Sequence, residues 1–244
     1  MQNQINDLPV NVQQSLADFV TSAKQYCQDS LISIVLYGSG AEGRLRASSD
    51  VNLILVLRSY DIECINPLRE KLRLYHAAIQ LNVMFILESE IDIAVDAFAV
   101  KFTDVLNRHR VLYGTDPFNN IKVSRIATLE RLKQVIINLT LRLRERYALV
   151  SLREEQLVHV IADVSGPIRS CAAAILNLEG KRETHPKEAL AALTQQLGGD
   201  WTSLLQNMSR SRQDQELGSG EQAKTVLSLL VLLKAMYDHV QGLA

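Results

Sequence analysis

The sequence has no surplus of either charge. Lys and Arg number 26 against 27 Asp and Glu, a formal net charge of −1 over 244 residues. A dedicated nucleic-acid binder carries a basic excess and a membrane-surface protein a polybasic segment, so neither class is expected. Long apolar runs are lacking too. The longest, residues 31–37, 51–57 and 227–233, fall well short of the roughly 18 residues of a membrane span and have the size of core elements. Aromatic residues make up only 5%, with one Trp, and do not interleave with basic residues as a base-stacking surface would. Cysteine is limited to Cys27, Cys64 and Cys171, odd in number and far apart. They suggest neither a disulfide framework nor a Cys-x-x-Cys pair, and a reducing, cytoplasmic setting is expected. The five histidines show no metal-ligand spacing, so zinc is not expected. The opening MQNQINDLPV has neither the basic nor the apolar region of a secretory signal. What is present, 47% apolar and 22% charged residues, is the composition of a folded globular chain.

The first 120 residues alternate in character. Residues 9–27 place Val12, Leu16, Phe19, Val20 and Ala23 at helical spacing behind Pro9. Residues 31–37 and 51–57 are short apolar runs rich in β-branched side chains and predict buried strands. Residues 66–79 predict a helix, with Asn66 as N-cap and Pro67 in the first helical position. Residues 80–87 predict a third strand and 89–107 a helix opened by Ser89. After the loop GTDPFNN at 114–120 no strand pattern remains. Residues 122–152, 154–178, 186–197 (capped near Thr184), 201–212 and 221–240 read as helices, with Gly166-Pro167 kinking or splitting the second. Short links between long amphipathic helices imply an antiparallel bundle. The expected class is therefore α+β: an α/β-type sheet domain over 1–118, then an all-α bundle over 119–244, with a cleft between them.

The stretch that carries chemistry is 34–57, IVLYGSGAEGRLRASSDVNLILVL. A strand ends at Gly38-Ser39-Gly40, where glycines let the backbone approach an anion and aim N–H groups at it. Ser39 adds a hydroxyl, and Arg44 and Arg46 in the following loop can pair with phosphate. Asp50 and Asn52 open the next strand and, at a period of two, share a face. A carboxylate beside phosphates is the usual way to hold Mg²⁺, whose remaining ligands come from phosphate and water.

This pattern resembles the nucleotidyltransferase superfamily of DNA polymerase beta. The resemblance rests on Tyr37, Gly38, Ser39, the ten residues before Asp50, then Asp50, Val51 and Leu53. HRVLYGTDPF at 109–118 looks like the inter-domain junction, and 169–190 like the helical C-terminal domain, of small bacterial members that include antibiotic-modifying enzymes. The resemblance implies a nucleoside triphosphate ligand, Mg²⁺, and an acceptor hydroxyl on a small molecule or protein. It also implies three carboxylates holding two ions. Here the second position is Asn52, and the third, on the neighbouring strand, aligns with Asn82; both keep the shape and lose the charge. Asp50 is left as the one charged metal ligand, and nucleotidyl transfer is expected to be weak or lost.

Three functions remain open on the sequence. The chain binds a nucleotide without efficient transfer; it transfers a nucleoside monophosphate with a substitute carboxylate from Glu42, Asp61, Glu63 or Asp163; or it is a non-catalytic interaction protein that oligomerises through its bundle. Glu42 reads as solvated. Asp163 lies in the apolar run Val160-Ile161-Ala162-Asp163-Val164, where a buried carboxylate needs an arginine such as Arg142, Arg146 or Arg169.

Overall fold

Three apolar runs become strands: β1 (Leu31–Tyr37), β2 (Val51–Leu57) and β3 (Leu81–Leu87). These and all later statements come from a computed structural model that describes residues 5–45, 49–181, 185–213 and 216–243. A fourth strand, β4 (His109–Gly114), completes a sheet of order β3-β2-β1-β4. β1 pairs antiparallel with both β2 and β4, and β2 pairs parallel with β3. β4 corrects the sequence reading, which gave 109–118 only as a junction. It is an edge strand, and its partly exposed side chains carry too weak an apolar alternation to announce it.

β2 is central and buried on both faces. Val51, Leu53, Leu55 and Leu57 join one core with α1 (Val10–Cys27) and α2 (Ile62–Ile79), while Ile54 and Val56 are buried on the opposite face. That explains an unbroken apolar run where a half-exposed strand would alternate. α1 buries Val12, Leu16, Phe19, Val20 and Ala23, the predicted stripe.

α2 starts one turn earlier than its proline suggests. Asp61 is the N-cap, its carboxylate accepting the Glu63 N–H at 2.9 Å, so Asn66 and Pro67 lie inside the helix. Pro67 costs one backbone hydrogen bond near the start, which the cap outweighs. Asp61→Ala is expected to cost about 1 kcal/mol of stability, read as a lower melting temperature.

Residues 89–107 are not one helix. A short 3-10 turn at Glu88–Glu90 leads into α3 (Ile91–Ala97), and Phe98 separates it from α4 (Ala99–Asn107), whose first turn closes with the Phe102 N–H donating to the Phe98 carbonyl at 2.9 Å.

The cysteines also correct the sequence reading. Cys27, the last residue of α1, and Cys64, in the first turn of α2, form a disulfide with Cα atoms 4.7 Å apart. Their separation of 37 residues hid the fact that the two helices pack side by side. The cysteine argument for a reducing compartment therefore loses its basis. Cys171 is fully buried, and desolvation pushes its thiol up to about 12.

The remaining elements are helical: α5 (Arg125–Val150), α6 (Glu154–Leu178), α7 (Pro186–Leu197), α8 (Thr202–Gln213) and α9 (Glu221–Gly242). α6 packs against all four others and buries twelve residues. It runs as one element through Gly166-Pro167, so the expected split does not occur. Pro167 and Asp163 are both exposed, so the carbonyl freed by the missing N–H lies on the solvent side. Thr184, the cap expected for α7, lies outside the described residues. No helix among the described residues is long and apolar enough to cross a membrane.

The chain forms two compact units. One comprises Met1–Val95 with Val105–Lys122; the other comprises Asp96–Asp104 with Val123–Ala244. The division is not a single cut, because most of α4 packs with the helical unit.

Candidate functional site

Strand register determines which side chains meet. Val51 and Leu53 face the α1–α2 core, so Asp50 and Asn52 belong to the other face. In the parallel β2–β3 pair Asn52 lies directly opposite Asn82; in the antiparallel pair it lies opposite Tyr37, which in turn faces His109 on β4. One row therefore crosses the sheet as Asn82, Asn52, Tyr37 and His109, with Asp50 two residues before Asn52. The sequence reading named the two amides and Asp50; it missed Tyr37 as a row member and His109.

Each amide turns its nitrogen back toward its own strand. Asn52 Nδ2 donates to the Asp50 carbonyl at 3.4 Å, and Asn82 Nδ2 donates to the Gln80 carbonyl at 3.3 Å. The Oδ1 of each takes no part in that bond. Asp50 is exposed, Asn82 is exposed and Asn52 half-buried. His109 is held firmly: its Nδ1 lies 2.9 Å from the Val105 carbonyl, its Nε2 3.2 Å from Asp116, and its ring stacks edge-on against Phe118.

Beside this row β1 ends in a 3-10 turn at Gly38–Gly40. Gly38 has φ +74°, the left-handed region that favours glycine, and a Cβ there would meet nothing within 4 Å. Its own N–H donates to the Arg108 carbonyl at 2.9 Å, so it is not a phosphate donor. The Gly38 and Ser39 carbonyls accept from Ala41, Glu42 and Arg44, which folds the loop on itself. The Ser39 and Gly40 N–H groups open the turn and have no partner within it; Ser39 is half-buried and Gly40 buried. Arg44 is exposed a few residues on. Arg46 lies outside the described residues.

Two ion pairs brace this loop. Arg108 donates to Glu42 at 2.9 Å, with side chains only 11% and 16% exposed. Glu42 is therefore not solvated, as the sequence suggested; the turn carries it inward to an arginine. Arg110 on β4 makes two hydrogen bonds to Asp7, at 2.7 and 2.6 Å, tying the N-terminal segment to the sheet. These bonds hold the Asp7 carboxyl below the ordinary aspartate range. A sequence separation of 103 left no local signal of this contact.

Within the sheet unit, two other substitute carboxylates are placed elsewhere. Asp61 and Glu63 follow the far end of β2, about 20 Å along the strand from Asp50 at roughly 3.3 Å per residue. Asp163 belongs to the helical unit and is exposed, not buried in need of an arginine; Arg142 and Arg146 are exposed as well. Among the described residues, no three His, Cys, Asp or Glu side chains form a metal-sized group. The donor set at the row is thus one carboxylate and two amide oxygens. It fits a single Mg²⁺ that receives most of its ligands from phosphate and water, and it does not fit a pair of ions.

No family model matches the chain. A curated Methanocaldococcus jannaschii protein, named by inference as a protein adenylyltransferase, is 27% identical over 127 residues, which cover 50% of this chain and 86% of that protein. Among solved structures, spectinomycin adenyltransferase AAD(9) from Enterococcus faecialis, crystallised with ATP and spectinomycin, superposes with a TM-score of 0.61. It is 13% identical and the match covers 91% of this chain and 98% of that one, a likeness of fold.

Proposed function

On the premise that this chain carries the nucleotidyltransferase superfamily's fold, we propose that it binds a nucleoside triphosphate and transfers its nucleotidyl group weakly or not at all. The observation that carries this reading is that Asn52 lies opposite Asn82 with Asp50 two residues before it, so that one sheet end offers one carboxylate and two amides where the resemblance implies three carboxylates. In it the Ser39 hydroxyl and the N–H groups opening the Gly38–Gly40 turn receive phosphate oxygens. Arg44 and Arg46 neutralise the outer phosphates. The Asp50 carboxylate and the Asn52 Oδ1 hold Mg²⁺ that enters with the triphosphate. In such a site Mg²⁺ neutralises phosphate charge and orients the chain of phosphates.

A second ion, which would acidify an acceptor hydroxyl, has no charged partner beyond Asp50. Active transfer needs a substitute carboxylate, and the three candidates within the sheet unit are committed or remote. Glu42 is paired to Arg108, Asp61 caps α2, Glu63 sits at the same far end, and Asp163 is an exposed residue of a separate unit. The names of the two similar proteins suggest an adenine nucleotide as the first ligand to try, and a protein or small-molecule hydroxyl as the acceptor an ancestral site would have served.

The test is a calorimetric titration with ATP and GTP, with and without Mg²⁺, on the parent chain and on Asp50→Ala. Mg²⁺-dependent binding is expected, and Asp50→Ala weakens it by about tenfold or more, the scale on which metal sites respond to lost partners. Absence of heat with either nucleotide up to millimolar concentration contradicts the reading.

A further inference from the structure

The two edges of the sheet are built differently. β4 is guarded: its register with β1 slips between Ile34 and Val35, it carries His109 and Arg110, and Arg110 is tied to Asp7. β3 has none of these devices. Residues 81–87, LNVMFIL, hold no charge, proline or glycine, and they pair with β2 along their whole length without a bulge. Among the described residues β2 is their one strand partner, and Val83, Met84, Phe85 and Leu87 stay half-buried. A flat apolar edge of this kind is a template for a further strand, and folded proteins with no use for one blunt it.

α2 borders this edge within the same sheet unit. His76 Nδ1 lies 3.1 Å from the Leu81 carbonyl at the start of β3, and Tyr60, just before α2, packs edge-on against Phe85 with ring centroids 6.1 Å apart, so α2 runs antiparallel to β3. Ile62, Asn66, Arg69, Arg73 and His76 recur at the spacing of one helix face and form an exposed stripe. At its N-terminal end Tyr60, Ile62, Ile65, Asn66 and Arg69 line a concavity of about 380 Å³, in which Tyr60 and Ile62 are 57% and 65% exposed. Arg69 donates to the neutral Asn66 Oδ1. No carboxylate stands on the stripe: Glu63 and Glu70 lie roughly a quarter-turn round the helix, and Asp61 caps it.

The helix and strand periods match. From Arg73 to Arg69, or from Arg69 to Ile65, the helix rises about 6 Å, and two residues of a strand span about 6.7 Å. Every second side chain of a strand added to β3 therefore meets Arg73, Arg69 and the concavity in turn.

We propose that β3 takes up an extended acidic segment of another protein as a further strand, with carboxylates on Arg73 and Arg69 and an apolar side chain in the concavity beside Tyr60 and Ile62. Backbone pairing supplies the affinity and the alternate side chains the specificity. A second copy of this chain fits less well, because pairing β3 with itself about a two-fold axis sets the two cationic stripes side by side. The proposal does not rest on nucleotide binding.

The probe is the fluorescein-labelled peptide Thr-Glu-Val-Glu-Val-Leu-Thr, whose glutamates and leucine share one face of a strand, titrated into the full chain by fluorescence anisotropy. One saturable site per chain is expected. Arg69→Glu combined with Arg73→Glu weakens it by about tenfold or more, while Arg210→Gln, an exposed arginine of the helical unit, leaves it within about twofold. Melting curves confirm that each variant is folded. The same peptide N-methylated along its backbone keeps every side chain, loses the donors of a strand and does not bind. Lysine in place of both glutamates also abolishes binding. Equal binding by the double variant and the parent, or by the N-methylated peptide and its parent, overturns the assignment, as does the absence of a saturable site. Sedimentation of the chain as a dimer that Met84→Lys dissociates would give the edge to a second copy and also overturn it.

Discussion

The double variant Asn52→Asp, Asn82→Asp is expected to hold a divalent ion without nucleotide, where the parent chain is expected to hold one only with it. The two positions face each other across β2 and β3, and Asp50 lies two residues from the first, so the change assembles three carboxylates at one sheet end. Directly paired side chains in a sheet have Cβ atoms about 5 Å apart, close enough for like charges to oppose each other strongly. Without metal the variant therefore holds one carboxyl partly protonated and melts below the parent; a destabilisation of about 1 kcal/mol is expected. With excess Mg²⁺ the order reverses, because an ion that binds only the folded state stabilises it by mass action. Each restored ligand should raise Mg²⁺ affinity by about tenfold or more, the two together by about a hundredfold. The check is a pair of melting curves, in EDTA and in Mg²⁺, for parent and variant. A variant that shows no greater Mg²⁺ response than the parent would mean that the two amides do not occupy ligand positions.

The second large effect is expected from Gly114→Ala, at the end of β4. Gly114 pairs with Ser33 on β1 and has φ +78°. A Cβ there would sit 2.0 Å from the Ile32 carbonyl oxygen and 3.0 Å from Ser33 Cα, which are backbone atoms and cannot swing aside. The left-handed conformation costs an alanine about 1–2 kcal/mol, and separating the strands costs a similar amount again, so about 3 kcal/mol is expected. For a unit of this size that lowers the melting temperature by roughly 10 °C or more. The effect reaches the candidate site, because the chain entering β4 supplies the Arg108 carbonyl that receives the Gly38 N–H. Nucleotide affinity should fall with stability. Gly242→Ala, where a Cβ meets nothing within 4 Å, is the control and should melt within a degree or two of the parent.

The sequence carried the parts of the fold that local pattern determines. β1, β2 and α6 are legible to the residue because apolar runs and helical stripes bound them. β4 is not, because an edge strand paired only to β1 needs little apolar alternation. Pro67 misled because proline's preference for a first helical turn is a prior, and the Asp61 carboxylate, five residues before the predicted cap Asn66, made the stronger cap. The Cys27–Cys64 disulfide and the Asp7–Arg110 pair depend on tertiary packing and leave no trace in spacing. The candidate site divides the same way. Gly38, Ser39, Asp50 and Asn52 could be located from a local motif. That Asn82 stands opposite Asn52 comes from the β2–β3 register, and that Glu42 is bound to Arg108 comes from the folding of the loop.

The most direct measurement is the number of Mn²⁺ ions bound with a non-hydrolysable ATP analogue, counted by electron paramagnetic resonance. It needs no acceptor substrate and reads the donor set itself. One ion per chain is predicted, bound only when the nucleotide is present and weakened by Asp50→Ala. Two tightly held ions would contradict the loss of the carboxylate site, and no nucleotide-dependent ion at all would contradict nucleotide binding at the Gly38–Gly40 turn.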